Sequence, residues 1–169
     1  MIVFDACTII LLAKVSILEI FLADCPEQAL VPEKVRNEIC AEGMEETPLI
    51  QRLIREKKIR VSRVREPKMK EKLMADFHID EGEAEAVLLA LRKTGAVVGT
   101  DDRNAIRACK LLRVEFTTAL AILVTAHEKK LITRDDALMK LQKLQAVSRY
   151  KRSIMEDARK RILGGDSHE

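Results

Sequence analysis

Carboxylate residues directly follow two short apolar runs of this sequence. Asp5 follows residues 2–4, and Asp101 and Asp102 come just after residues 96–99. Because each run is short and lacks polar alternation, it is typical of a strand buried on both faces of a parallel sheet. Functional sites in open α/β sheets form at the carboxyl ends of such strands. Acids at two neighbouring ends would bring like charges together, an arrangement that usually needs a cation between them.

Two further carboxylates fall beside apolar positions of predicted helices. Glu38 directly precedes the apolar Ile39, and Glu83 shares a helical face with Val87. An unpaired charge is costly to bury, so a carboxylate on an apolar face calls for an explanation. For Glu38 that explanation could be an ion pair with Lys34, one helical turn earlier. These two acids are nevertheless candidates for the same site.

Each acid also has an explanation that involves no site. Asp5 and Asp101 could cap the helices that follow them, and Asp80 with Glu83 has the spacing of a capping box. For any one of these residues, or for Glu38 as a surface residue, we would prefer that explanation. Taken together, however, it requires the same coincidence four times. The set therefore favours a shared site.

The hydrophobic periodicity alternates between strands and helices along the whole chain. The predicted strands are 2–4, 28–31, 59–64, 96–99 and 114–117. The predicted helices are 8–22, 33–41, 49–57, 68–76, 80–92, 102–112, 118–129, 134–144 and 148–162. Strands separated by helices imply a parallel sheet covered on both faces. The predicted fold class is α/β, with three α/β/α layers around a central parallel sheet of about five strands.

Length and cysteine usage restrict the class of protein further. A chain of 169 residues favours a single domain. No pair of cysteines has CxxC spacing, so we expect small core residues in a reducing cytosol rather than a zinc site. These cysteines are Cys7, Cys25, Cys40 and Cys109. We find no signal peptide and no uncharged run of membrane-spanning length, and therefore expect a cytoplasmic protein without membrane contact.

Positive charge is concentrated in two segments. Residues 51–72 contain ten Lys or Arg against three Glu, and residues 140–161 contain eight against two acids. Basic segments around an acidic centre could hold a polyanion next to a metal site. In the first segment the candidates for contact with RNA are Arg52, Arg55, Lys57 and Lys58. The alternative is that both segments are simply solvated helix faces.

The sequence resembles the PIN-domain nucleases, and in particular a short prokaryotic branch similar to the VapC-type toxins. The matching segments are IVFDACTIILLAK, VPEKVRNEI, HIDEGEAEAVLLAL and AVVGTDDRNAIRACKLL. The later segment LVTAHEKKLIT resembles the branch with a C-terminal helical extension. The resemblance implies a PIN-like nuclease domain over 1–130 and a helical extension over 131–169 packed on the same domain.

The resemblance also assigns candidate site residues. The four family acids match, in chain order, Asp5, Glu38, Glu83 and either Asp101 or Asp102. Thr100 matches the Thr or Ser that commonly precedes the last acid. Two positions after the first acid the family usually has Ser, but this chain has Cys7, followed by Thr8. Which of these two side chains supports the first acid stays open.

The function implied by the resemblance is a ribonuclease that depends on Mg²⁺ or Mn²⁺. Asp5 and either Asp101 or Asp102 would hold the metal, and Glu38 and Glu83 would position water or a second ion. The residue types suit this chemistry, because hard cations take oxygen ligands and can activate water while stabilising charge on a phosphate. The implied partners are an RNA substrate, a small antitoxin that covers the site, and a second copy in a homodimer.

Two other functions stay open. One is a PIN-like module that binds RNA or protein without cleavage, although the full set of acids argues against it. The other is a receiver-type phosphoryl-transfer domain, which also clusters acids at strand ends. That class has a Lys after a late strand, where this chain has Thr117 and Thr118. A second Thr-x-Asp pattern, Thr133 to Asp135, follows a charged helix and is predicted to be a helix N-cap.

Overall fold

A five-stranded parallel sheet forms the centre of the fold in the computed structural model, which describes residues 1–41 and 43–164. The strands are β1 (Ile2–Phe4), β2 (Ala29–Pro32), β3 (Ile59–Ser62), β4 (Val97–Gly99) and β5 (Glu115–Thr117). Their order across the sheet is β3-β2-β1-β4-β5, and each neighbouring pair is parallel. The predicted α/β fold class is confirmed.

Helices cover both faces of this sheet. In the described residues they are α1 (Ala6–Lys14), α2 (Leu18–Asp24), α3 (Glu33–Ala41), α4 (Thr47–Arg55), α5 (Pro67–Phe77), α6 (Glu81–Leu91), α7 (Arg103–Leu112), α8 (Ala119–Glu128), α9 (Arg134–Val147) and α10 (Arg152–Gly164). Successive strand side chains point to opposite faces. Phe4 and Val31 therefore pack with α1–α4 and α8–α10, whereas Val3 and Val98 pack with α5, α6 and α7. The result is the three-layer arrangement.

The single helix predicted over 8–22 is wrong, because the chain forms α1 and α2 with a bend of 104° between them. Ser16 has a φ of 58° and ends the first helix. Val15 and Ile17 on either side are both buried, so the apolar periodicity continues through the break. Within the described ranges no single helix is long and apolar enough to cross a membrane, and α1 and α2 reach that length and composition only as this bent pair.

The C-terminal helices α9 and α10 pack against α8 and share the main core. Their buried residues include Leu141, Leu144 and Ile162, in the same cluster as Phe4 of the central strand. This packing makes the C-terminal segment part of the layer that covers one face of the sheet. The division into 1–130 and 131–169 stays a prediction, and residues 165–169 lie outside the described residues.

The prediction that the four cysteines are core residues is wrong for most of them. Cys109 is buried, but Cys25 and Cys40 are half-buried and Cys7 is exposed. All four are free thiols. Cys7 lies in the first turn of α1 on a face that does not pack against the core. The spacing of the cysteines in the sequence could not show which face that is.

We expect Gly99→Ala to destabilise the protein, because β1 and β4 can pair closely only if residue 99 has no side chain. Gly99 lies opposite Phe4 in the sheet, and a methyl group there would lie 2.3 Å from Phe4 Cδ1. Phe4 is fully buried and cannot move aside without cost. The free energy of unfolding should fall by about 2–3 kcal/mol, as for other overpacked cores. Urea denaturation would measure it.

The matched control is Gly164→Ala, where a methyl group would meet no atom within 4 Å. Its urea midpoint should stay close to that of the wild type. Adding Phe4→Leu to Gly99→Ala should recover part of the loss, because it removes the ring that the methyl group meets. Equal midpoints for Gly99→Ala and Gly164→Ala would show that the close approach to Phe4 is not limiting.

Candidate active site

The candidate site lies at the carboxyl edge of the sheet, where β1 and β4 end side by side. The backbone N–H of Asp5 donates to the carbonyl of Gly99 at 3.0 Å, so the first residue after β1 is fixed to the end of β4. Asp101 and Asp102 follow the end of β4 after a single intervening residue, Thr100. Parallel pairing therefore brings together acids that are almost one hundred positions apart in the chain. This is the convergence that the sequence predicts for these three residues.

Asp5 is held at the first turn of α1. It is the N-cap of that helix, and its Oδ1 accepts a hydrogen bond from the Thr8 amide at 2.8 Å. The side chain is almost completely buried, with 2% exposure for the residue. Its other oxygen, Oδ2, is buried and makes no hydrogen bond of ordinary geometry with the described residues, although the Thr100 hydroxyl is close enough to lower the pKa of this carboxyl. A cap explains one oxygen of Asp5 and leaves the other unexplained.

The acids at this edge disfavour one another's ionisation. Burial raises the pKa of Asp5 to about 7, and the nearby Asp101 contributes to the rise. The hydroxyl groups of Thr100 and Thr8 offset only part of this effect. Burial likewise raises the pKa of Glu83 to about 7, with further contributions from the charges of Asp80 and, to a smaller extent, of Asp102 and Asp5. Two neighbouring carboxyl groups whose pKa values are both raised toward neutrality are typical of a functional site.

Glu83 also has a structural role. Its Oε2 accepts a hydrogen bond from the Asp80 amide at 2.9 Å, and Asp80 Oδ1 accepts one from the Glu83 amide at 2.8 Å. These two bonds form the capping box that the spacing predicted at the start of α6. The cap therefore does not exclude a role in the candidate site, because it uses only Oε2 and the charges of Asp102 and Asp5 act on the same carboxyl group.

Glu38 lies against the same turn of α6. Both of its carboxylate oxygens lie 3.4 Å from the point that a Cβ on Gly82 would occupy. Because Gly82 has no side chain, α3 can approach the first turn of α6 at the position next to Glu83. Lys34, the alternative partner considered for Glu38, forms an ion pair with Glu81 at 3.3 Å. The structure places Glu38 beside the helix turn that carries Glu83.

Asp101 and Asp102 point to different helices. Asp102 is the N-cap of α7, and its Oδ1 accepts from the Ala105 amide at 2.8 Å. Its own amide donates to the hydroxyl of the buried Thr100 at 3.2 Å. Asp101 instead accepts from the Ala119 amide, the first residue of α8, at 3.2 Å. The alternative explanation that Asp101 caps the helix following it is therefore wrong, because Asp102 is that N-cap.

Protein donors engage both oxygens of Asp101. Oδ2 accepts a hydrogen bond from the Thr8 hydroxyl at 2.6 Å, and Oδ1 accepts one from the Tyr150 hydroxyl. Burial raises the pKa of this carboxyl as well. Among the described residues, the hydrogen bonds to the Asp102 side chain involve Oδ1 alone. Of the two adjacent acids, Asp102 is therefore the one whose side chain keeps an oxygen that accepts no hydrogen bond from the described residues and could bind a ligand.

Of the two residues that could support Asp5, Thr8 makes the hydrogen bond and Cys7 only lies nearby. Thr8 supplies its amide to Asp5 and its hydroxyl to Asp101. Cys7 is exposed as a residue, but its thiol is partly shielded from water; this shielding raises the pKa of the thiol to about 11, and four acids add to the rise through their charges. These acids are Asp5, Asp101, Glu83 and Asp102. Cys7 therefore lies at the edge of the acid cluster while Thr8 makes the hydrogen bonds.

The four basic residues selected as RNA contacts lie elsewhere. Arg52 and Arg55 are near the end of α4, and Lys57 and Lys58 directly precede β3. Residues that precede a parallel strand lie at its amino edge, opposite the acids. Arg52 is also paired with Glu19, and Lys58 with Glu56. The structure does not bring these four side chains to the acid cluster.

Sequence reasoning missed Tyr150, which reaches the cluster from the segment between α9 and α10. It is the only tyrosine of the chain, and Arg149 and Lys151 flank it. An aromatic residue between basic ones in a nucleic-acid-binding candidate was the available signal. The exposed Arg103 at the first position of α7 is a further basic residue close to the acids.

The donor set fits a hard divalent cation. No three His, Cys, Asp or Glu side chains between 1 and 41 or 43 and 164 form a ready-made ligand set. Mg²⁺, however, usually takes one or two protein carboxylates together with water and substrate phosphate. The buried Oδ2 of Asp5, which makes no hydrogen bond of ordinary geometry with the described residues, is the kind of oxygen that such an ion would satisfy. Asp5 and Asp102 could hold the ion at this edge.

We expect the stability of the metal-free protein to fall as the pH rises. Asp5 and Glu83 keep protons in the folded state that the unfolded state releases from about pH 4, with both folded pKa values near 7. The folded state therefore binds more protons within this window, and the free energy of unfolding declines across it. Urea denaturation in EDTA at several pH values would measure the decline, and Asp5→Asn should reduce it.

The matched control is Asp135→Asn, which makes the same chemical change at an exposed residue in the first turn of α9. It should leave the pH profile as in the wild type. Mg²⁺ should stabilise the wild type most at neutral pH, where the acids are closest to ionised. A profile in EDTA that is flat from about pH 4 to pH 7 would contradict the raised pKa values.

Comparison with known proteins agrees with the geometry. A family model described as a PIN domain matches residues 1–163. No curated protein and no solved structure gives a significant match to the chain. The family match spans nearly the whole sequence, including all four acid positions and the helices α9 and α10. The chain therefore belongs to the PIN-domain family, whose members are generally nucleases.

Proposed function

We propose that this protein is a ribonuclease that cleaves RNA phosphodiester bonds with the help of Mg²⁺ or Mn²⁺. The observation that carries the proposal is the buried Asp5 carboxylate, whose Oδ2 makes no hydrogen bond of ordinary geometry with the described residues and whose pKa the nearby Asp101 helps to raise. A protein that gains nothing from a cation would not be expected to keep such a group. Because the chain belongs to a family of nucleases, such a cation would serve phosphodiester hydrolysis.

In the proposed site each residue has one task. Asp5 and Asp102 hold the divalent ion, which would help activate water and stabilise charge on the phosphate. The Thr8 amide orients Asp5, and the Thr100 hydroxyl fixes the backbone of Asp102. Glu83 in the first turn of α6, and Glu38 of α3, which lies against Gly82 in that turn, would position water by hydrogen bonds.

RNA would approach from the carboxyl edge of the sheet, where the acids lie. Its phosphates would meet the basic side chains nearest that edge, which we take to be Arg103, Arg149 and Lys151. The latter two flank a tyrosine whose hydroxyl contacts an acid of the site. Neutralising phosphate charge with Arg or Lys supplies affinity that depends on salt. The set around α4 remains a second candidate for contact with longer RNA.

The biological context that we propose is the toxin of a toxin–antitoxin pair. The support is the resemblance to the VapC-type branch, which also favours a homodimer and a small antitoxin that covers the acids. The free cysteines suit the reducing cytoplasm. Expression of the chain in a bacterial host should slow growth, and Asp5→Asn should abolish the effect. Sedimentation of the purified protein would test the dimer.

A PIN-like module that binds RNA without cutting it is the second candidate. The observation in its favour is that donors within the protein satisfy both oxygens of Asp101. Such a carboxylate serves structure rather than metal binding, which leaves fewer acids for catalysis. RNA binding without metal-dependent cleavage would support this candidate.

We expect purified protein to cleave structured RNA with Mg²⁺ or Mn²⁺ and to lose that activity in EDTA. Asp5→Asn should lower the cleavage rate by roughly 100-fold or more, because it removes the charge that holds the ion. The control is Asp135→Asn in the second Thr-x-Asp pattern, where Thr133 caps α9. Labelled RNA resolved on denaturing gels gives the rates.

Two results would contradict the proposal. Cleavage that survives both EDTA and Asp5→Asn would come from another site or another protein. Equal loss of activity in Asp5→Asn and Asp135→Asn would point to a general effect of the substitution. Addition of Mn²⁺ after EDTA should restore the wild type and not the Asp5 variant.

A separate measurement distinguishes the two basic surfaces. Arg149→Gln with Lys151→Gln should weaken RNA binding and lower the salt slope by about 0.7 for each phosphate of a single strand that is no longer neutralised. Neutralising the four residues around α4, Arg52, Arg55, Lys57 and Lys58, is the matched comparison. Fluorescence anisotropy at several salt concentrations gives both slopes. If only the α4 set changes the slope, RNA binds across the amino edge and our proposed path is wrong.

A further inference from the structure

Tyr150 connects the C-terminal helices to the acid cluster. It lies between α9 and α10, half-buried against the main core. Its hydroxyl donates a hydrogen bond to Asp101 Oδ1 and accepts one from the Leu120 amide at 3.2 Å. The hydroxyl thus uses both its donor and an acceptor position, and it bridges an acid of the site to the first turn of α8.

The bridge continues as a chain of hydrogen bonds to Asp5. Asp101 Oδ2 accepts from the Thr8 hydroxyl at 2.6 Å, and the Thr8 amide donates to Asp5 Oδ1 at 2.8 Å. Thr8 is fully buried, and Asp5 nearly so. Asp101 is half-buried and accepts a hydrogen bond at each carboxylate oxygen. Because such a carboxylate has little freedom to rotate, Asp101 links the two ends of this chain firmly.

We propose that Tyr150 is a positioning residue for the candidate metal site, acting on Asp5 through Asp101 and Thr8. By this route the C-terminal helices set the affinity of the site for a divalent cation. The inference rests on the proposed metal-dependent function. Its physical basis is that hydrogen bonds to the groups around a metal ligand orient the ligand and tune its affinity. In this proposal Asp101 holds Thr8 and Tyr150 in position and does not bind the metal itself.

A purely structural role for Tyr150 makes a different prediction. If the hydroxyl only fastens α9 and α10 to the domain, its loss should lower stability and leave the affinity for metal unchanged. Thr133→Ala is the matched control for this case, because it removes the N-cap of α9 and touches no residue of the cluster. Both variants weaken the C-terminal segment, and only one of them breaks the chain of hydrogen bonds.

The first experiment measures Mg²⁺ affinity of the full chain by isothermal titration. Tyr150→Phe should raise the Kd roughly tenfold, the lower end of what the loss of such a partner costs. Thr8→Val, which removes the hydroxyl and keeps the amide, should give a similar rise. Because both act through the same chain, the double variant should show less than the product of the two fold-changes. Thr133→Ala should bind Mg²⁺ as the wild type does.

The second experiment uses Tyr150 itself as the probe. The chain has one tyrosine and no tryptophan, so tyrosine emission reports on this hydroxyl alone. Hydrogen bonding to a carboxylate alters that emission. Mg²⁺ should therefore change the emission of the wild type with the same midpoint as the titration. Asp5→Asn should remove the metal-dependent change while the metal-free spectrum stays that of a hydrogen-bonded tyrosine.

The outcomes separate the two proposals. If the wild type binds Mg²⁺ and Tyr150→Phe binds it equally well, the positioning role is wrong and the metal-dependent function stands. The same conclusion follows if Thr133→Ala weakens binding as much as Tyr150→Phe does. If the wild type binds neither Mg²⁺ nor Mn²⁺, the metal-dependent function is overturned and the inference with it.

Discussion

The crowding of carboxylates at two adjacent strand ends is the constraint on which the rest of the site depends. Asp5 can lie beside Asp101 only because β1 pairs with β4, and that pairing is close only because residue 99 is glycine. Helix N-termini then surround the acids, since α1, α7 and α8 all begin at this edge. Their amide groups and positive dipole ends reduce the cost of the negative charge without removing it.

The helix caps of this protein include three of the acids that we propose for the site. Asp5, Glu83 and Asp102 each satisfy a helix amide with one oxygen, which fixes the side-chain rotamer. A carboxylate immobilised in this way loses little further freedom when it binds an ion, so its helix cap is also preorganisation for the ligand. A capping role and the proposed role in the site are therefore compatible at these residues.

The sequence predicted most of the fold, because the strands are uninterrupted apolar runs and the helices follow a regular period. It could not predict the break at Ser16, where both flanking residues are buried and the period continues. It could not separate Asp101 from Asp102, since the distinction depends on Ala119 and Ala105, in two different helices. The position of Lys57 was predictable, because a residue just before a parallel strand lies away from its carboxyl end.

The hydrogen bonds that complete the site join distant parts of the chain. Thr8 and Asp101 are 93 positions apart, and Asp101 and Tyr150 are 49 apart. Contacts of such separation form late in folding, because long loops must close first. A nascent chain would therefore carry all four acids well before it has the segment that holds one of them in place. Under the proposed role of Tyr150, the order of synthesis itself would delay a competent site until the segment after α9 has been made.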